Sequence, residues 1–270
     1  MARHGPKALP HNPLAQMTRA VFYPLEGLRF IRQHQLWPLA GVAIGVNIVL
    51  LLTLLGLSLF YVWPWLGDAD AWVRGLFTGE LWQSIGPVLA WIVWVVAVLM
   101  VIIAQSLLLL LVGQAVASPF LDMLSEKVES IVLGTPSTPA GVGRTLKSLF
   151  MALGELCWSV LFIVIVNLPI WLVGVVVPGI GTSVAAVLSF AFGALLLSHE
   201  FVGLPLARDL VSFRRRWRTT WANRWLGLGF GSSAAVMLVV PGLNLILLPL
   251  AAVGGTLLYC DLKAAGRLKA

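Results

Sequence analysis

Four stretches of this chain carry no Asp, Glu, Lys or Arg at all: 33–67, 81–121, 156–199 and 225–260. Each is longer than the roughly 20 apolar residues that carry a helix across a bilayer. Only His34 and His199 interrupt them with a group that titrates near neutral pH. Charged residues make up 11% of the chain and hydrophobic ones 59%, whereas soluble domains hold about 25% charged residues. The blocks therefore predict an all-α integral membrane protein.

Two of the blocks contain the same interruption. Residues 170–189 read IWLVGVVVPGIGTSVAAVLS and residues 234–253 read AAVMLVVPGLNLILLPLAAV. In each, an apolar run meets Pro-Gly (Pro178-Gly179, Pro241-Gly242) and a second apolar run follows, with Asn244 close behind the second turn. Proline cannot continue the helical ladder and glycine accepts the dihedrals of a reversal. Such breaks survive in hydrocarbon only where protein buries them or where they line a cavity, and paired breaks point to a transport pathway. Two ordinary helical hairpins turning at a membrane face read the same way.

In chain order, residues 1–13 are expected as a disordered tail and 14–262 as one membrane domain. Residues 14–35 place Leu14, Met17, Val21, Leu25 and Leu28 three or four apart, the spacing of an interfacial amphipathic helix, with Pro24 predicting a kink or a restart near Leu25. Residues 37–63 predict a first spanning helix bracketed by Trp37 and Trp63, and 82–133 a long second one with an extension that restarts at Ser118-Pro119. Residues 134–145 read as a loop, 156–198 as the first broken hairpin, 200–224 as a basic surface helix, 226–260 as the second broken hairpin and 263–270 as a tail. The first arm of the second hairpin is too short to cross, which makes it a candidate for half-penetration. The first hairpin fits either spanning or half-penetration.

Of 18 Lys and Arg, only Arg74 falls in the 64–80 connection. The positive-inside bias then places both termini in the cytoplasm. The net charge of +7 is read as a record of topology and of contact with anionic lipid, and no nucleic-acid partner is expected. The basic first 37 residues hold no early apolar run of the kind a cleaved leader carries. Cys157 and Cys260 read as packing residues, with neither disulfide nor metal spacing.

Enzymatic signals are missing: there is no metal-spaced cluster, no intramembrane carboxylate pair and no phosphate loop. No metal and no cofactor are expected. Gly27-Leu28-Arg29-Phe30, with Arg32, offers a patch for an anion: glycine for close approach, amides near a helix start, and forked guanidinium donors. The alternative is that Arg29 and Arg32 snorkel to headgroups. Arg214–Arg218 reads as a positive-inside anchor. Gln105 and Ser106, near the centre of the second spanning helix, face either a pore or a neighbouring helix.

Several of these stretches together resemble one known family. Ala117-Ser118-Pro119-Phe120 followed by Leu124, Glu126, Lys127, Val128 and Glu129 is similar to a conserved stretch of CysZ-type sulfate permeases. Val177-Pro178-Gly179-Ile180-Gly181 resembles their I-P-G-I-G turn. Gly229-Phe230, Pro241-x-Leu243-Asn244-Leu245 and Pro249-x-Ala251-x-Val253-Gly254 resemble their C-terminal hairpin, and Gly27-Leu28-Arg29-Phe30 resembles their sulfate-binding G-L-x-F. Leu121 stands where that family has asparagine, and His199-Glu200-Phe201 replaces an acidic Tyr-x-Asp-Tyr-Pro stretch. The resemblance runs from about residue 20 to 262, and its superfamily includes the etoposide-induced proteins of the endoplasmic reticulum. It implies two long transmembrane helices, two half-penetrating hairpins, two amphipathic surface helices and a homo-oligomer. It also implies sulfate uptake across the bacterial inner membrane for cysteine biosynthesis, with backbone amides of Gly27, Leu28 and Phe30 and the charge of Arg29 or Arg32 holding the anion. The competing expectation is a membrane scaffold that binds lipids or partners without moving an anion.

Overall fold

The computed structural model describes residues 5–64, 67, 80–134, 142–177, 179–239 and 243–268. Helix is the only regular element among them. Among the described residues, five helices are long and apolar enough to cross a membrane: Trp37–Val62, Pro87–Gln105, Trp158–Val176, Ile180–Val202 and Ile246–Ala264. Together with the composition, these make the chain an all-α integral membrane protein. Two compact units form, one from residues 1–44 and 118–270 and the other from 45–117.

Helix α1 (Pro13–Val21) starts where the Asn12 side chain accepts from the Leu14 amide at 3.1 Å and Pro13 takes the first helical position. It stops because Pro24 has no N–H to continue the ladder. A second helix, α2 (Tyr23–Gln33), begins at once with Pro24 in its first turn, so the restart expected near Leu25 falls at Tyr23. The N-terminal segment is not a free tail where it is described. The Lys7 amide donates to Asp261 at 2.7 Å, and Arg19 donates to the Ala8 carbonyl at 2.5 Å.

α3 (Trp37–Leu57) passes into a π-helical turn, Ser58–Val62. α4 (Glu80–Leu133) runs through Ser118-Pro119 without the predicted restart; helices in a bundle tolerate an interior proline when neighbours re-satisfy the freed groups. α5 (Val142–Val176) begins inside the segment expected to be a loop. α6 (Ile180–Val202) follows a turn at Gly179, whose φ of 83° lies where glycine is at home. The predicted single helix over 200–224 is instead the end of α6, the short α7 (Leu204–Arg208) and α8 (Phe213–Ala222). Leu210, with φ 57°, marks the break. α9 (Arg224–Val239) has 16 residues and α10 (Leu243–Ala264) has 22. At 1.5 Å per residue α9 reaches about 24 Å, short of the roughly 30 Å hydrocarbon core. Pro178, Pro241 and Gly242 lie outside the described residues.

α10 is the hub of the larger unit. Every residue from Ala251 to Leu262 is buried, packed against α2, α6, α7 and α9. Small residues let the backbones meet. A Cβ on Gly254 would lie 2.7 Å from the Tyr23 carbonyl oxygen, and one on Gly255 2.6 Å from the Phe201 backbone. α5 and α6 close on each other in the same way through Gly174, Gly181 and Ala185. Their outer faces and turn are apolar and open, with Val175, Val176 and Ile180 each more than 70% exposed, a surface suited to lipid.

Candidate functional site

α2 carries the predicted anion patch, and its packing decides which groups face out. Tyr23, Gly27, Phe30 and Ile31 are buried, whereas Leu25, Arg29 and Arg32 are exposed. This reverses the reading of the 14–35 segment by its leucines. Leu14 and Leu25 stand outside, while Gln16, Ala20, Tyr23 and Gly27 form the inner face. In a membrane the outside is as apolar as the core, so small residues and not leucines mark the packed face.

Gly27 packs against a helix. A Cβ there would sit 2.6 Å from the Leu250 carbonyl oxygen and 2.9 Å from the Gly254 amide nitrogen. Gly27, Leu28 and Phe30 are the fifth, sixth and eighth residues of α2, where each amide is spent on the carbonyl four positions back. In a regular helix those three amides keep no spare donor for an anion. The glycine instead allows α2 and α10 to cross at backbone contact.

The two arginines answer better. Arg29 and Arg32 are three apart on the open face of α2, and neither pairs with a carboxylate among the described residues. Glu26, the one acid on α2, is engaged by Lys7 Nζ at 2.8 Å. Two permanent cations are thus left facing outward, on a helix whose seat is fixed by the glycine crossing. Tyr23 adds to that seat by donating to Asp261 at 2.5 Å.

Beside this lies a polar cluster that the sequence reading did not assemble. Glu129 of α4 accepts from Lys263 Nζ at 2.9 Å and from Arg208. Thr256 donates to Ser125 at 2.9 Å. Burial pushes the Asp122 carboxyl up to about 6, with Arg208 pulling it down and Glu126 adding to the rise. The signal was available in Asp261 and Lys263, two charges directly beyond a long apolar run, but their partners are more than a hundred residues away.

Gln105 donates to the Leu54 carbonyl at 3.5 Å, the helix–helix alternative of its reading. The side chains of Ser106 and Asn244 lie outside the described residues. Arg214, Arg215 and Arg218 are exposed, whereas Arg216 is buried against the α6–α7 junction. Cys260 is buried and forms no disulfide among the described residues. Among the described residues no group of His, Cys, Asp and Glu could hold a metal ion. The chemistry these side chains offer is recognition of negative charge.

Comparison with known proteins agrees over nearly the whole length. A family model described as "Sulfate transporter CysZ/Etoposide-induced protein 2.4" matches residues 23–249. A Sulfate transporter CysZ of Pectobacterium atrosepticum is 26% identical over 93% of this chain and 88% of its own. One from Vibrio atlanticus is 27% identical over 76% of this chain and 79% of its own. One from Pseudomonas syringae is 26% identical over 91% of this chain and 93% of its own.

Proposed function

Since this chain belongs to the Sulfate transporter CysZ/Etoposide-induced protein 2.4 family, we propose that it moves sulfate, or a closely related oxyanion, across the bacterial inner membrane to supply cysteine synthesis. The observation that carries the reading to particular residues is the pair of unopposed arginines on α2. Sulfate presents a fixed double charge and several acceptor oxygens, and guanidinium forks match such groups without needing to be protonated. Arg29 and Arg32 draw the anion to the membrane face of the bundle, and Gly27 holds their helix in place against α10. The apolar hairpins then provide the route, at Gly179 and at the Pro178 and Pro241-Gly242 turns, with Asn244 beside the second. Both termini lie in the cytoplasm, following the single arginine of the 64–80 connection. The protein works as a homo-oligomer, as the CysZ resemblance implies. It transports and does not catalyse.

Uptake of labelled sulfate into proteoliposomes tests this. Reconstituted protein is expected to exceed empty liposomes. The Arg29→Ala/Arg32→Ala variant should lose at least about tenfold, since two charge-assisted contacts disappear. Flux equal to that of empty liposomes refutes transport and leaves a scaffold. Full flux in the double variant refutes the arginine site alone.

A further inference from the structure

Away from α2, the larger unit holds an open groove of about 1380 Å³ between the α5–α6 hairpin and α8–α9. Its apolar lining is hydrocarbon and aromatic, with Phe162, Ile170, Leu188, Leu195 and Trp217. Phe162 and Trp217 meet edge-to-face at 4.8 Å, and Phe162 and Phe192 lie 5.5 Å apart, so the lining is packed and pre-formed. Its rim is cationic. Arg214 and Arg218, one helical turn apart on α8, and Arg224 at the start of α9 all line it and are all exposed. None of the three pairs with a carboxylate among the described residues, and the described residues that line the groove include no acid.

We propose that this groove is a binding site for an anionic diacyl phospholipid, with the acyl chains on the apolar lining and the headgroup phosphate on Arg214, Arg218 and Arg224. The shape and the charge argue for one occupant. The groove exceeds the 300–1,000 Å³ typical of small-ligand sites and is far too large and apolar for a bare oxyanion. A zwitterionic lipid brings an ammonium that offsets its own phosphate, and a neutral helix brings no charge, so a lipid of net negative charge best balances three guanidinium groups. Basic pockets beside membrane helices on the cytoplasmic side hold anionic headgroups by this logic. Trp217 and Trp221 also line the groove, between Arg214 and Arg224 in the chain, and indoles favour the boundary between hydrocarbon and headgroups. This site is separate from Arg29 and Arg32 and stands or falls independently of sulfate transport.

Native mass spectrometry of the purified full-length protein, titrated with phosphatidylglycerol and phosphatidylcholine of matched chains, tests the proposal. The wild type is expected to retain phosphatidylglycerol at least tenfold more tightly. Arg214→Gln/Arg218→Gln/Arg224→Gln should abolish that preference, while Arg29→Gln/Arg32→Gln should keep it. Ala191→Trp, which fills the groove and leaves the rim intact, should weaken retention of both lipids, and it serves if the triple variant does not fold. Equal retention in the wild type and the triple variant overturns the proposal. So does displacement of the lipid by millimolar sulfate, which would make the rim a free-oxyanion site. Dissociation of an oligomer in Ala191→Trp with lipid preference unchanged also overturns it, since the groove would then hold a second copy of the chain.

Discussion

Gly27→Ala separates two roles for one glycine. A Cβ at residue 27 would stand 2.6 Å from the Leu250 carbonyl oxygen and 2.9 Å from the Gly254 nitrogen. Both are backbone atoms of α10 and neither can swing aside. Ordinary contact begins near 3.4 Å, so α2 and α10 must part by roughly 0.8 Å, in a hub where every residue from Ala251 to Leu262 is buried. Overpacking against rigid backbone falls in the upper part of the range for such insertions, about 2–3 kcal/mol. Alanine recovers up to about 1 kcal/mol over glycine inside a helix, leaving a net loss of about 1–2 kcal/mol. Thermal unfolding of the detergent-purified protein, followed by circular dichroism, is expected to shift downward by several degrees. Gly193→Ala, in α6 with nothing within 4 Å of the added carbon, should hold or raise the melting temperature. Gly254→Ala meets the Tyr23 carbonyl across the same crossing, so its loss should not add fully to that of Gly27→Ala. If Gly27→Ala melts like the wild type and yet no longer binds sulfate, the glycine serves the anion and the helix-crossing argument is wrong.

Tyr23→Phe removes the hydroxyl that Asp261 accepts within the buried core; a loss of about 1.5–3 kcal/mol is expected, read as a lower melting temperature with sulfate flux retained. Asp122→Asn tests the raised carboxyl. The folded protein holds this proton up to about 6, against an ordinary 3.8, so stability attributable to Asp122 falls as pH rises through that window and the penalty is complete above it. The shift corresponds to about 3 kcal/mol at most. The asparagine variant should therefore gain on the wild type at pH 8 and not at pH 4, and a gain that is the same at both would show that the carboxyl is not the cause.

The membrane class was legible because an uncharged block of 35 residues admits few other readings. The turn at Gly179 was legible because Pro-Gly punctuates a helix whatever surrounds it. Helix faces were less so. Leu14 and Leu25 carry the apolar periodicity that in water would mark a core, and they are exposed here. Periodicity reports burial only when the outside is polar, and for this chain it is not. The lining-up of Asp261 with Tyr23 and Lys7, or of Glu129 with Lys263 and Arg208, was not legible at all. These pairs join residues 79 to 254 positions apart, and no local spacing encodes them.

The basic run Arg214–Arg218 makes the same limit sharper. As sequence it is one feature, four arginines in five positions around Trp217, with one role for all. On a helix, residues four apart share a face and residues two apart lie nearly opposite. Arg214 and Arg218 therefore project together at the mouth of the apolar groove. Arg216 turns inward to 5% exposure, with a guanidinium nitrogen beside Gly203 where α6 passes into α7. An anchor made only of headgroup contacts would have no reason to bury its middle arginine. The burial ties the helix that carries the outward pair to the bundle, so the rim charges are held at a fixed place above the groove and do not wander over the membrane surface. A positive-inside count weighs all four arginines alike. The helical period gives them two tasks, one seating α8 and the other presenting charge.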